Sequence, residues 1–344
     1  MTTAASSADP ADPADAARVG TRPPGPLDLV GLPPLMALGA GSARVAVAVV
    51  DGAVALGGPE FAGRRVRFLP GPEEAPGGGQ AGCEGPTRGA GTCDGMAGGA
   101  ACPHGTFVAG LLSASRSSAV PGICPGCTLL AHPVFAAGRS GGAARPVADA
   151  GPAARVGELA AAVVRCVDAG ARVLNLSVAL ARPAATLPDH RELTEALDHA
   201  AARGTLVVVA AGNQSALRTS ALTQHPWTIP VIAYDRAGRP MGLSNLGGSI
   251  GTRGIGAPGD RVTGRVDGRP FTVTGTSAAA PFVTGAAALL ISLFPAAPPA
   301  AVRAALLHGR PAARRTVVPP LLDAWSAYTH LASAERGLHV SPLT

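Results

Sequence analysis

Lysine is absent from the 344 residues of this chain, so arginine accounts for all 28 of its Lys and Arg residues. Aromatic residues are also scarce, at 3% of the sequence. The small arginine clusters, such as Arg64, Arg65 and Arg67, have no interleaved aromatic side chains, and the net charge of +6 is modest for this length. Nucleic-acid binding requires a more concentrated basic surface. We therefore expect a solvated arginine surface, no nucleic-acid partner, and a genome-wide compositional bias behind the missing lysine.

A targeting signal and a membrane anchor are missing as well. The first residues, MTTAASSADPADPADAARVG, lack the basic start and apolar run of a secretory signal. Because they are rich in Ala, Asp and Pro, we expect residues 1–25 to form a disordered tail, with a second tail at residues 335–344. We expect one large domain over residues 26–334, no membrane partner and a cytoplasmic location.

Apolar runs alternate with turn-forming residues along the rest of the chain. The run RVAVAVV, residues 44–50, is β-branched and continuously apolar, which is typical of a central parallel strand buried on both faces. Further strands are predicted at residues 128–135, 172–177, 205–210 and 231–234, and helices at residues 32–38, 156–168, 189–202, 299–307 and 320–331. This alternation predicts an α/β fold with a mostly parallel central sheet. The Gly/Pro-rich residues 70–103 predict an irregular loop.

The longest apolar run, TSAAAPFVTGAAALLISLF, begins at Thr276 and predicts a helix that is apolar on all sides. Such a helix lies in a large core or in a membrane. Because Thr284 and Gly285 interrupt the run, we predict a buried core helix. Ser277 then lies in the first turn, beside unpaired N–H groups and the positive end of the helix dipole. Taken alone, Ser277 could equally be an ordinary N-cap residue.

Three other polar residues occupy positions typical of a reactive site. Asp51 ends the first strand, at the edge where open α/β sheets hold their ligands. His104 is predicted to open a helix, and Asn213 follows another strand. Acyl transfer needs a hydroxyl nucleophile, a base, a carboxylate that orients the base, and a donor to the oxyanion. Each residue also has a simpler interpretation, such as a turn for Asp51-Gly52 and a helix cap for His104.

Four motifs in order resemble the subtilisin-like serine proteases, the peptidase S8 family, over about residues 32–330. They are VAVVDGAV around Asp51, HGTFVAGLL around His104, VVVAAGNQ around Asn213 and GTSAAAPFVTGAAALL around Ser277. The order Asp, His, Ser is that of subtilisin. The resemblance implies a three-layer fold with helices on both faces of the sheet, and serine endopeptidase activity. The sequence itself shows no calcium loop, so we expect no cofactor and no metal site. The resemblance also implies that Asp51, His104 and Ser277 are the catalytic triad and that Asn213 provides the oxyanion-hole side chain.

By the same resemblance, an extended peptide substrate pairs with two strand edges that flank the S1 pocket. These edges are Ser177, Val178 and Ala179 on one side, and Ala210, Ala211 and Gly212 on the other. Neither edge carries a charged side chain, which predicts a small or apolar P1 residue. Three positions depart from the family pattern: Gly52 replaces a usual Thr, Phe107 a His and Ala179 a Gly. None removes a catalytic group, although Ala179 would narrow or reshape the pocket.

Within the family, the segments VVDGAVALGGPEFAG and VPGICPGCTLLAHPVF are similar to segments of cyanobactin-maturation proteases, which cleave leader sequences from ribosomal peptides. The absent signal peptide and the short stretch before the first strand, with no room for a folding pro-domain, agree with that role. We therefore predict a protease that matures a precursor peptide. A general subtilisin-type endoprotease and an inactive peptide-binding fold are the alternatives.

Five of the six cysteines lie on either side of His104, at Cys83, Cys93, Cys102, Cys124 and Cys127. The sixth, Cys166, lies on a predicted helix, and we expect it in the core. Cys124 and Cys127 have the spacing of a zinc knuckle, but zinc sites usually combine two knuckles, so a metal-binding module is the weaker interpretation. We expect these cysteines to be either reduced or in structural disulfides. One hypothesis is a disulfide from Cys93 or Cys102 to Cys124 or Cys127 that ties the loop under His104.

Overall fold

The structure is a computed structural model that describes residues 25–70, 101–134, 153–180, 190–308 and 316–338. Several expectations fall outside these ranges: residues 1–24 and 339–344 of the expected tails, residues 71–100 of the expected loop, and with them Cys83 and Cys93.

Seven strands form one sheet in which every neighbouring pair is parallel. The strands of the described residues are β1 (Ala46–Asp51), β2 (Val66–Phe68), β3 (Thr128–Pro133), β4 (Ala153–Ala154), β5 (Ala171–Leu176), β6 (Ala179–Leu180), β7 (Leu206–Ala210), β8 (Thr228–Tyr234), β9 (Ile255–Pro258), β10 (Val262–Val266) and β11 (Arg269–Val273). The sheet has the order β2-β3-β1-β5-β7-β8-β9, and β4 with β6 and β10 with β11 form separate pairs. The predicted parallel sheet is confirmed.

Helices cover both faces of this sheet. They are α1 (Leu32–Leu38), α2 (Ala101–Ser113), α3 (Val156–Asp168), α4 (Arg191–Ala202), α5 (Ala221–Gln224), α6 (Gly248–Arg253), α7 (Thr276–Leu293), α8 (Pro299–Leu306) and α9 (Ala324–Leu338). Alternate side chains of β1 enter two cores, because successive residues of a strand face opposite sides. Val47 and Val49 join the core that contains α2 and α7, whereas Ala48 and Val50 join the core that contains α3 and α4. The predicted three-layer α/β architecture is therefore present.

The strand β1 lies where the strand order of the sheet reverses. It pairs with β3 on one side and with β5 on the other. In open α/β sheets the connections diverge at such a switch point and leave a crevice beyond the C-terminal ends of the strands, where ligands bind. Asp51 is the last residue of β1 and lies at this crevice.

The helix α7 crosses the core beneath the sheet. It is long and apolar enough to span a membrane, but 83% of it is buried inside the protein, where it packs against β5, β7, β8 and β9. Gly285 permits a close approach at its midpoint, because a Cβ atom there would lie 2.5 Å from the side chain of Ile123. The prediction of a buried core helix is confirmed.

The antiparallel pair β10–β11 was not predicted from the sequence. Asp267 and Gly268 form its two-residue turn with φ angles of 52° and 72°, which matches the Asp-Gly preference of tight hairpins. The pair packs on α2, where the rings of Phe107 and Phe271 meet edge to face with centroids 6.1 Å apart. Phe107, at the position where the related family usually has a His, is therefore part of an apolar contact.

Candidate active site

Asp51 and His104 are joined by a hydrogen bond at the C-terminal edge of the sheet. The Nδ1 atom of His104 lies 2.8 Å from Oδ1 of Asp51, which is almost fully buried and also accepts the N–H of Gly52 at 2.6 Å. A carboxylate can only accept, so Nδ1 of the neutral imidazole carries the proton and Nε2 keeps its lone pair. The pair therefore has the tautomer that a general base requires.

The two elements that carry this pair approach closely. The helix α2 begins at Ala101, so His104 lies in its first turn rather than at its opening, as the sequence had suggested. A Cβ atom on Gly105 would lie 2.5 Å from the carbonyl oxygen of Gly52, so only glycine permits this contact. The next residue, Thr106, accepts the N–H of Ala55 on its hydroxyl at 2.9 Å. These contacts dock the start of α2 onto the segment that follows Asp51.

The surroundings of His104 change its affinity for protons. Burial lowers the pKa of the imidazole, but the charge of Asp51 and the hydrogen bond to it raise the pKa by more. The net pKa of His104 lies above the ordinary value of 6.5. An imidazolium formed at this position is therefore stabilised by the carboxylate beside it.

Ser277 is the second residue of α7, and its N–H belongs to the first helical turn, where backbone donors have no intrahelical acceptor. The helices α2 and α7, which carry His104 and Ser277, pack against each other. Within the described residues, no hydrogen bond joins Ser277 Oγ to His104. Such bonds between nucleophile and base are often long in the absence of substrate and tighten when it binds.

The carboxamide of Asn213 is clamped at the start of α7. Thr276 directs two groups at Oδ1 of Asn213: its backbone N–H at 2.9 Å and its hydroxyl at 3.0 Å. An N–H group can only donate, so the oxygen of the amide must face Thr276 and the NH₂ group points away from it. The amide is thereby oriented as a donor beside Ser277. Thr276 is not among the site residues predicted from the sequence, although it lies within the GTS motif.

Two glycines and a second asparagine hold this arrangement together. A Cβ atom on Gly275 would lie 2.6 Å from Nδ2 of Asn213, and one on Gly212 would lie 2.5 Å from Nδ2 of Asn245. Both glycines have positive φ, at 130° and 99°. Asn245 is buried and braces the chain beyond β7: its Oδ1 accepts the N–H of Gln214 at 3.1 Å and its Nδ2 donates to the carbonyl of Ala211 at 3.2 Å.

The two expected substrate edges differ in the backbone groups that are available to pair with a substrate strand. The N–H groups of Ala211 and Gly212 already donate to other groups of the protein, at 2.9 Å and 3.1 Å, so Ala210–Gly212 borders the site without a free donor at those two residues. On the other side, Ser177 and Val178 follow β5 and are buried. Ala179 begins β6 and pairs with β4, with Ala153 opposite it. β4 therefore occupies one of the two edges of β6.

The expected disulfide to Cys124 or Cys127 is wrong. Both residues are buried free thiols, and Cys127 Sγ lies 3.8 Å from the hydroxyl of Ser292, whereas Cys102 is disulfide-bonded elsewhere. The reason lies in the length of α2. Cys102 is in its first turn, but the N–H of Cys124 bonds to Leu112 near its last turn. Ten residues of helix span about 15 Å, which is far beyond the reach of a disulfide.

The sixth cysteine lies on α3, apart from the other described cysteines. Cys166 is a buried free thiol on α3, as expected, and burial raises its pKa to about 12. In the part of the chain that the structure describes, no group of three or more His, Cys, Asp or Glu side chains could hold a metal ion.

Residues 98–321 match the subtilase family. The chain is 33% identical over 189 residues to Subtilisin Savinase of Lederbergia lenta and 32% identical over 192 residues to the thermophilic serine proteinase of Bacillus sp. (strain AK1). These matches cover 54% and 55% of this chain, and 62% and 42% of the two relatives. The chain thus spans about half the length of the curated relatives it matches.

Solved structures give longer matches. The prenylagaramide maturation protease PagA is 27% identical with a TM-score of 0.70, and the match covers 88% of this chain and 98% of that one. The patellamide maturation protease PatA is 28% identical with a TM-score of 0.64, and the match covers 85% of this chain and 98% of that one.

Proposed function

Because the chain belongs to the subtilase family, we propose that it is a serine endopeptidase in which Asp51, His104 and Ser277 form the catalytic triad. The observation that carries this proposal is the Asp51–His104 hydrogen bond at the sheet edge. It leaves Nε2 of His104 as a base on a helix that packs against the helix of Ser277. A serine hydroxyl becomes nucleophilic only when such a base removes its proton.

Hydrolysis would proceed in two stages. In the first, His104 Nε2 takes the Oγ proton of Ser277 while Oγ attacks the peptide carbonyl carbon. The oxyanion accepts hydrogen bonds from Asn213 Nδ2 and the Ser277 N–H, and Asp51 stabilises the imidazolium. His104 then gives its proton to the leaving amine, which leaves an acyl-enzyme. In the second stage water repeats the attack, His104 again acts as base and acid, and Ser277 is regenerated.

Labelling with a fluorophosphonate tests this reaction directly, because only an activated serine is modified. We expect one label per chain on Ser277, no label on Ser277→Ala, and slow labelling of His104→Ala. Peptide hydrolysis should fall by several orders of magnitude in both variants, with the folded state unchanged by circular dichroism. A wild-type protein that folds but neither labels nor cleaves peptides would instead be an inactive peptide-binding fold.

The substrate we propose is a flexible precursor peptide that is cleaved at a small or apolar P1 residue. PagA and PatA, which are named as maturation proteases, support this choice because each is matched over nearly its whole chain. The local structure supports it as well, since the expected edges carry no charged side chain and β4 already occupies part of one edge. Strand addition requires an unpaired, extended segment, which a folded protein does not offer.

Digestion of a peptide library, with sequencing of the products, separates maturation from general proteolysis. We expect slow cleavage after Ala, Gly, Val or Leu within a narrow set of sequences, and little action on casein. An equal concentration of a secreted subtilisin serves as the control. Rapid cleavage of casein at many unrelated sites would support a general endoprotease.

A further inference from the structure

Three buried polar side chains form a continuous chain of hydrogen bonds from the core to the nucleophile. The hydroxyl of Thr284, in the middle of α7, bonds to Oδ1 of Asn175 at 2.9 Å. Nδ2 of Asn175 bonds to the hydroxyl of Ser177 at 2.8 Å, and that hydroxyl bonds to the backbone carbonyl of Ser277 at 3.3 Å. Thr284 and Asn175 are fully buried. We call this series the Thr284 relay.

The direction of every bond in the relay is determined by its last member. The Ser277 carbonyl can only accept, so the single hydroxyl proton of Ser177 must point toward it. Ser177 must then accept from Asn175, which therefore turns its NH₂ group to Ser177 and its oxygen to Thr284. Thr284 must donate to that oxygen. Thr284 thus supplies the donor for the Asn175 oxygen in the one orientation of the amide that lets Ser177 donate to the Ser277 carbonyl.

The behaviour of Thr284 differs from that of another hydroxyl on the same helix. Ser292 donates to the carbonyl of Ala288, four residues earlier, which is the usual choice for a hydroxyl inside a helix. Thr284 instead donates to Asn175, a residue 109 positions away at the C-terminal end of β5. The hydroxyl of Thr284 therefore connects α7 to β5, the strand that leads into the expected substrate edge.

We propose that Thr284 is a positioning residue for the proposed acyl transfer. Through Asn175 and Ser177, it holds the substrate edge at a set distance from the peptide unit of Ser277, and so aligns the scissile carbonyl with the nucleophile. This inference rests on the proposed endopeptidase function. Alignment matters because small displacements of reacting groups by distant changes lower the rate strongly.

The variant Thr284→Val tests the relay, because valine has nearly the shape of threonine and removes only the hydroxyl. The side-chain oxygen of Asn175 then loses its donor, so the orientation of the amide that serves Ser177 is less strongly stabilised. We expect kcat for a peptide substrate, per active site titrated with fluorophosphonate, to fall about tenfold, with KM changed less than about threefold. Thr284→Ser keeps the hydroxyl and should restore kcat to within about twofold of wild type.

A matched control separates positioning from simple loss of stability. Ile291→Ala removes buried volume from the same helix, seven residues or about 10 Å of helix beyond Thr284, at a side chain that cannot hydrogen-bond. We expect it to lower the melting temperature but to leave kcat per titrated site unchanged at a temperature where the protein is fully folded. Equal kcat in Thr284→Val and wild type would overturn the proposal, and so would a comparable loss of kcat in Ile291→Ala.

A second variant keeps the test decisive if Thr284→Val does not fold. Ser177→Ala removes the last link near the surface and should lower kcat per titrated site by a similar factor. Unchanged kcat in Ser177→Ala would overturn the relay. The inference and the function on which it rests fail in different ways: a wild-type protein without labelling or cleavage refutes the endopeptidase, whereas an active wild type with equally active variants refutes only the relay.

Discussion

Replacing Thr276 with valine should slow the reaction without weakening peptide binding, because it loosens the clamp on the oxyanion donor. Thr276 holds Oδ1 of Asn213 with its N–H at 2.9 Å and its hydroxyl at 3.0 Å. Valine keeps the shape and the N–H but lacks the hydroxyl. It also deprives the N–H of Gly212 of the acceptor that it has at 3.1 Å.

The expected size of the effect follows from the number of bonds lost. A neutral hydrogen bond contributes a net stabilisation of about 1 kcal/mol, and a tenfold change in rate corresponds to about 1.4 kcal/mol. Loss of one of the two bonds to Asn213 therefore predicts a kcat roughly fivefold to tenfold lower. The oxyanion exists only in and near the transition state, so KM should stay within about twofold of wild type.

The assay is steady-state hydrolysis of a peptide, with the active-enzyme concentration measured by fluorophosphonate titration. Thr276→Ser is the matched control, since it keeps the hydroxyl and should retain most of the activity. A double variant with Asn213→Ala should be no slower than Asn213→Ala alone, because the clamp has nothing left to orient. If Thr276→Ser is as slow as Thr276→Val, or if KM rises in proportion to the loss, the clamp argument is wrong.

The site leads us to expect four other outcomes. Asn213→Ala should lower kcat about 10²–10³-fold with KM nearly unchanged, and an effect on KM alone would make Asn213 a substrate-binding residue. The rate should fall as the pH decreases through the pKa of His104, which lies above 6.5. The variant Asp51→Asn lacks the charge that raises this pKa, so the acid-side fall in its weak activity should occur at lower pH. The pKa of His104 is raised in the folded protein, so its protonation stabilises the fold fully below pH 6.5, and this stabilisation is lost as the pH rises through the folded pKa. Denaturation of Ser277→Ala, with and without Asp51→Asn, measures this effect on the free energy of unfolding. Gly105→Ala should destabilise the protein by about 1–3 kcal/mol, since its Cβ would meet the carbonyl of Gly52; an unchanged melting temperature would contradict the close approach.

Sequence patterns alone were sufficient for much of the secondary structure. The helices α1 and α3 have the predicted bounds, and β1 was recognised because a strand covered by helices on both faces must be apolar throughout. The hairpin β10–β11 was missed, since its strands are only five residues long and are interrupted by Gly264, Arg265 and Pro270. Its Asp267-Gly268 turn was the local signal that would have identified it.

The pairing of the cysteines could not be read from their spacing. Cys102, in the first turn of α2, and Cys124, beyond the end of that helix, lie only 22 positions apart. A rigid helix between them separates their side chains by more than a disulfide can bridge, and that separation depends on where the helix ends. Proximity in sequence therefore predicted the wrong partner.

The sequence by itself determined which side chains we assign to the proposed site, because acyl transfer needs particular residue types and the motifs around Asp51, His104 and Ser277 supply them in order. Only the tertiary structure decided which hydrogen bonds orient these side chains and the backbone around them. The Thr276–Asn213 contact joins residues 63 positions apart, and the Thr284–Asn175 contact joins residues 109 positions apart. Parallel strands bring their C-terminal ends, and the helix starts that follow them, to one edge of the sheet. A threonine inside an apolar helix can donate to its own backbone or to a distant amide, and only the packing of α7 against β5 decides which.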